Sequence, residues 1–188
     1  IIDSRDEATG GPHPEGGAVG ADGTILSSDD AGGSWTQQNG IISEDTTWGL
    51  AESPFQVIGH VTVSSGVILT IEPGVTVKFD SGKVLEVEGT LVARGTSTST
   101  VTFTSSAASP AAGDWGFIKF KDSSMDAAFD GNGAYLSGSV FEHATIEYAG
   151  GSVTPAVWAD SSAPYFNSVV VRNNAFTGIY SSNSDIRI

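Results

Sequence analysis

Residues 61–104 read VTVSSGVILTIEPGVTVKFDSGKVLEVEGTLVARGTSTSTVTFT, and this stretch decides the fold. Apolar residues alternate with polar ones in short runs: Val61-Thr62-Val63, Ile68-Leu69-Thr70-Ile71, Val75-Thr76-Val77-Lys78-Phe79, Val84-Leu85-Glu86-Val87, Leu91-Val92-Ala93 and Val101-Thr102-Phe103-Thr104. Alternation with period two, carried by β-branched and aromatic residues, is the pattern of half-buried strands. The breaks are Gly, Ser or Pro-Gly, and they leave almost no room for crossover helices. Such a layout predicts a coil of strands rather than a sandwich.

Working outward, no window of eleven or more residues places apolar positions at helical spacing, and 24 glycines interrupt the chain throughout. The runs recur at measurable offsets. Residues 69–72 align with 85–88 at 16, residues 157–159 with 179–181 at 22, and residues 141–146 with 166–171 at 25; Ile188 continues the last column. A repeat of about 16–25 residues with several short strands per turn predicts a solenoid whose aliphatic residues stack in columns along one axis. Asn173, Asn174 and Asn183 fall at the corners, where they are expected to stack as hydrogen-bonded ladders.

The segment from Leu69 to Phe79, continued by Leu85–Leu91, Gly95-Thr96 and Val101–Ser105, resembles the right-handed parallel β-helix repeat proteins of bacterial and archaeal surfaces. Trp115-Gly116, Gly138-Ser139, Ile146–Gly150 and Tyr180–Asn183 add to the resemblance, which covers residues 42–188. It implies an all-β, right-handed parallel β-helix, a fold that carries polysaccharide lyases, glycosidases, adhesins and passive stalks alike. The expected organisation is an extended N-terminal arm (1–17), a capping hairpin (18–45) and the β-helix proper (46–188), with a loop insertion at about 121–138. Within the hairpin, Ser28-Asp-Asp-Ala-Gly-Gly-Ser-Trp35 resembles the Asp-box, in which Asp accepts turn amides and Trp plugs the apolar side. One copy is too few for the propellers, including sialidases, in which that motif recurs.

Composition bounds the function. The chain has 188 residues, 22 acidic against 8 basic, and a net charge of −14. Nucleic-acid binding needs clustered Lys and Arg and is argued against. The charge keeps a β-rich surface soluble, and no apolar run is long enough to insert in a membrane. With no cysteine, disulfides and thiolate metal sites are excluded. The opening Ile1-Ile2-Asp3 shows neither an initiator Met nor a leader, as in a processed chain or a piece of a longer one.

Candidate sites follow from residue chemistry. Asp126, Asp130 and Asn132 sit in the insertion, and Asp130-Gly-Asn-Gly places oxygen ligands at alternating positions around a turn. This is the arrangement for calcium, weighed against the ordinary use of these residues in a hairpin turn. Trp115, Trp158 and Tyr180 are the carbohydrate-contact candidates, weighed against aromatic stacking along the solenoid. For catalysis the polar residues are Glu142, His143, Glu147, Asp160, Arg172 and Asp185. No column gathers two carboxylates with a basic residue beside them, as a glycosidase would require, and Glu147 aligns with Arg172 as a cross-coil ion pair. An enzyme is therefore the less favoured reading, and no catalytic residue is assigned. His13, His60 and His143 lack zinc spacing.

A solenoid must also hide its terminal coils. Ile186 and Ile188 mark one end, and the tip Ile1-Ile2 suits strand addition to a neighbour, so self-association end to end, or continuation in a larger parent chain, is expected. The resulting reading is an extracellular, cell-surface structural or adhesive β-helix, a subunit of a head-to-tail filament. The alternative is a carbohydrate-active fragment, lyase or glycosidase, with a glycan as its partner.

Overall fold

The computed structural model describes residues 18–19, 25–28, 34–151 and 153–188. Those residues form a parallel β-helix. Three parallel sheets, here faces A, B and C, run the length of the molecule, and the chain visits them in order six times.

Coil 1 is built by Ser34–Ile42, which bends across faces A and B, and Thr46–Trp48 on face C. Coil 2 repeats this with Phe55–Val63 and Ile68–Ile71. Coil 3 has Thr76–Phe79, Leu85–Val87 and Thr90–Arg94. Coil 4 has Val101–Ser105, Ile118–Phe120 and Val140–Glu142. Coil 5 has Ala144–Glu147, Val157–Asp160 and Tyr165–Asn167. Coil 6 has Val170–Arg172 and Ile179–Ser182, and Arg187 returns to face C as a parallel bridge to Tyr165. Among the described residues the helical content is a single 3-10 turn, Leu50–Glu52.

Alternation does the folding work. In Val101–Ser105 every other side chain is buried, and in Phe55–Val63 residues 55, 57, 61 and 63 are, with the bend at 58–60 between the two pairs at least partly exposed. The inward residues stack coil on coil. On face C, Trp48, Ile71, Ala93, Phe141 and Phe166 form one column; on face A, Phe55, Val77, Phe103, Ile146 and Val171 form another. Phe141 lies 5.4 Å from Phe166 in a stacked pair and edge-on to Phe103 and Phe120 at 5.6 and 5.8 Å.

Corners need residues that turn within two or three positions. Residues 88–89 take the chain from face B to face C in coil 3, and a Cβ on Gly89 would sit 2.2 Å from two backbone carbonyl oxygens, those of Ser64 and Val67. Only glycine fits there. In later coils the corners use left-handed residues that stack on one another: His143 and Ser168, Tyr148 and Asn173, Ser161 and Asn183 all have φ near +45 to +64. The asparagine ladder is replaced by this mixed stacking. Asn174 instead ties coil 6 to coil 5, accepting from Ala149 N at 2.7 Å and donating to the Ile146 carbonyl at 3.3 Å.

Three expectations change. The 16-residue offset joins different faces of successive coils, face C of coil 2 and face B of coil 3: Leu85–Val87 stacks on residues 61–63 of face B, whereas residues 69–71 stack on 91–93 at an offset of 22. The solenoid starts before residue 46, because residues 36–38 and 40–42 already pair in parallel with Phe55–Val63. The same strand pairs antiparallel with Ile25–Ser28, Ser28 opposite Ser34, so the hairpin is continuous with coil 1. Strand alternation then puts Thr36 inside and leaves Trp35 half-buried outside, with Lys78 Nζ 4.4 Å over its ring. The arm 1–17 and the Asp-box turn 29–33 lie outside the described residues. Finally, the insertion after residue 120 is itself a small antiparallel hairpin, Ala128–Phe129 with Tyr135–Ser137.

Candidate binding face

The outward carboxylates Glu142 on face C and Glu147 on face A are each bound to side chains of neighbouring coils. On face C, Arg94 Nε of coil 3 meets Glu142 Oε2 of coil 4 at 2.6 Å, and Asn167 Nδ2 of coil 5 donates to the other oxygen at 3.0 Å. On face A, Thr104 donates to Glu147 Oε1 at 3.1 Å and Arg172 pairs with Oε2 at 2.8 Å. Each carboxylate spans three successive coils with both oxygens engaged. The Glu147–Arg172 pair is the one the sequence alignment foresees.

Face C also carries the insertion hairpin. Phe129 packs edge-on against Tyr165 at 5.1 Å, and Tyr135 stacks over Tyr165 at 6.2 Å. Arg187 lies 4.2 Å over Phe129, and Arg94 lies 5.3 Å over Tyr135. Val140, an outward position on its strand, is also buried.

Face B differs. Its outward column runs Glu86, Lys119, Trp158, Tyr180 through coils 3 to 6. Lys121 bridges Glu86 and Glu88 at 3.2 and 3.1 Å, and hydrogen bonds to Glu88 and Glu86 hold its ammonium above the usual lysine range. Lys119 pairs with Asp160 at 2.9 Å and sits 4.0 Å over the Trp158 ring. With help from the Ser182 hydroxyl, Lys119 lowers the Asp160 pKa. Trp158 is half-buried between Phe117 and Tyr180, edge-on to both at 6.5 and 6.1 Å, and Tyr180 is 48% exposed.

At the corner beyond Asp160 and Ser182 this face opens into a notch of about 530 Å³. Asp126, residues 161–163 and residues 183–185 line it. Its groups are hydroxyls, an amide and two carboxylates, with no basic side chain among them. Asp126 Oδ1 accepts from Ala163 N at 2.7 Å, which fastens the start of the insertion to the coil 5 corner.

The structure thus separates the residues singled out in the sequence. Trp115 is withdrawn as a carbohydrate contact: it is 1% exposed, stacked 4.0 Å from Phe79, and donates its indole N–H to the Glu147 carbonyl at 2.9 Å. Trp158 and Tyr180 do share one outer column. Asp126 and Asp130 are parted by function. Asp130 Oδ1 accepts from the amides of Asn132 and Ala134 at 2.9 and 2.8 Å, the ordinary turn use, and those bonds depress its pKa. No cluster of three or more His, Asp or Glu able to hold a metal occurs among the described residues. Ile186 is half-buried against the core and Ile188 is 82% exposed; Ile1 and Ile2 lie outside the described residues. Sequence reasoning misses Glu86, Glu88, Lys119 and Lys121. The signal for them lies in their i, i+2 spacing, which sends both members of each pair to the same side of a strand.

Comparison with known proteins places this architecture. Residues 40–154 match a family described as the pectate-lyase-like β-helix domain, and the chain belongs to that family. A stretch of 64 residues is 42% identical to Protein bark beetle of Drosophila melanogaster, covering 34% of this chain and 2% of that protein. No solved structure matches significantly.

Proposed function

We propose that this pectate-lyase-like β-helix domain is a structural and adhesive module of an extracellular surface, meeting its partner along a face of the rod. The observation that carries the reading is the use of the outward carboxylates. Glu142 and Glu147, the best-placed acids of faces C and A, each have both oxygens bound to neighbouring coils. A general acid or base has to be within reach of a substrate proton, and these groups are spent on holding coils together.

Continuation of the columns past coil 6, by a second copy docked end-on or by a larger parent chain, extends the reading. On coil 6, Val170 and Phe176 are exposed, and inward Val171 and Ile179 are only half-buried, whereas Ile146 and Val157 beneath them are fully buried. Another coil laid on this one would bury Val171 and Ile179 in the same columns. Light scattering across a concentration series should show growth in mass, and a monodisperse monomer at every concentration would remove the end-on contact. For the module as a whole, incubation with acidic polysaccharides should release neither unsaturated nor reducing ends. Turnover above a buffer blank would favour the carbohydrate-active reading.

A further inference from the structure

We infer that the insertion hairpin is a strap: it fastens the end of coil 6 to coil 3, and the two open together as one unit. In a solenoid each coil touches only its neighbours, and the parallel sheets of this rod pair a coil with the one before and the one after it. The hairpin crosses that pattern. At its root Met125 N donates to the Gly89 carbonyl of coil 3 at 2.9 Å, and Ala127 N donates to the Ala163 carbonyl of coil 5 at 2.9 Å. Further out, Tyr135 has Arg94 of coil 3 over its ring and stacks with Tyr165 of coil 5, while Phe129 has Arg187 of coil 6 over its ring. Coils 3 and 6 share no strand pairing among the described residues, so the hairpin spans a gap that the sheets do not.

Two features distinguish a strap from a loose loop. The root is closed, because Ser139 N donates to the Met125 carbonyl at 2.9 Å and the Tyr135 hydroxyl donates to the Gly138 carbonyl at 2.7 Å. Gly138, at φ +93, lies so close to the Asp126 carbonyl that a Cβ would collide with it, and the two arms therefore move as one body. The hold on coil 6 falls on a single residue. Arg187 makes the parallel bridge to Tyr165, its carbonyl accepts from Phe166 N at 2.9 Å, and its guanidinium sits 4.2 Å over Phe129. No other bridge returns coil 6 to face C among the described residues. Removing the ring beneath the guanidinium thus loosens the one point at which coil 6 is tied to the last strand of that face.

The test is amide hydrogen exchange on the whole chain, read at Met125 N, Ala127 N and Phe166 N. Thr102 N, bonded to the Val75 carbonyl on face A, serves as the reference for global opening. The three amides should share one level of protection in the parent. Phe129→Ala should speed all three about tenfold, and Arg187→Gln about two- to fivefold, the size of an exposed cation–π contact. Thr102 N should not change in either variant. Phe166 N unmoved by Phe129→Ala, or Met125 N unmoved by Arg187→Gln, would show that the hairpin and coil 6 open separately and would overturn the inference. Acceleration of Thr102 N by the same factor would overturn it as well, because the rod would then open as a whole and the hairpin would couple nothing of its own.

Discussion

The inner and outer sides of the same strands obey different rules. Inside, a position is defined by what lies above and below it, and aromatic and aliphatic side chains continue from coil to coil, shielded from water. Outside, neighbouring coils are joined by single polar ties, and face B leaves part of its aromatic column open. The inner columns therefore hold the rod together, and the outer ladders tune it. Substitutions on the two sides should differ in size accordingly.

The largest effect is expected at Phe141, which touches three rings from coils 4 and 5. Phe141→Ala should cost about 3–5 kcal/mol, because the stacked neighbours cannot close the cavity; urea unfolding will measure it. A loss under about 1 kcal/mol would mean that the columns relax freely, and the contrast between the two sides would collapse. Next comes Gly89, where a methyl group would meet two carbonyl oxygens at 2.2 Å. Gly89→Ala should cost about 2 kcal/mol or more through displacement of the coil 2 corner, again read by urea unfolding. A neutral result would show that this corner is softer than its hydrogen bonds, Gly89 N and Thr90 N to the Val63 and Val67 carbonyls, imply.

On the outer side Arg172→Ala removes one tie from Glu147. The guanidinium is 59% exposed, so the loss should stay below about 1 kcal/mol and shrink with added salt. A cost matching that of Phe141→Ala would place the outer ladders among the main supports of the fold.

The same contrast governs how much of the fold and of the binding face the amino-acid sequence discloses. Columns are legible where corners are short and alike: residues 141 and 166, 157 and 179, and 147 and 172 pair as their spacing indicates. They are illegible where corners vary. Face C passes from Val92 to Val140 in one coil because the hairpin lies between them, and no fixed period survives such an insertion. The 16-residue offset misleads for a related reason. Strands on different faces carry the same apolar alternation as stacked strands of one face, so sequence similarity does not separate a step that changes face from a step along one column. Trp115 is misplaced by sequence because its loop carries no alternation to say which side is inward. The Lys119–Asp160 pair of face B joins coils 4 and 5, and it rests on a register that only the stacked coils supply.

The smallest expected effect is a pH dependence confined to the outer side. Lys119 and the Ser182 hydroxyl stabilise the Asp160 carboxylate, so its pKa in the folded protein lies below the ordinary 3.8. A group whose pKa is depressed by folding adds stability that is fully present above its unfolded value and is lost as pH falls through the folded one. Melting temperatures of the parent and Asp160→Asn should therefore run parallel above 3.8 and converge as the pH drops below it. Lys121 gives the opposite limb: Glu88 and Glu86 raise its pKa above 10.5, so its contribution is present below that value and disappears as pH rises through the folded one. Both groups are open to solvent, and the shifts should fade in high salt, whereas the cost of Phe141→Ala should persist there. If salt left the acid limb of the Asp160→Asn comparison unchanged, the outer ladder would be far better shielded than its exposure indicates.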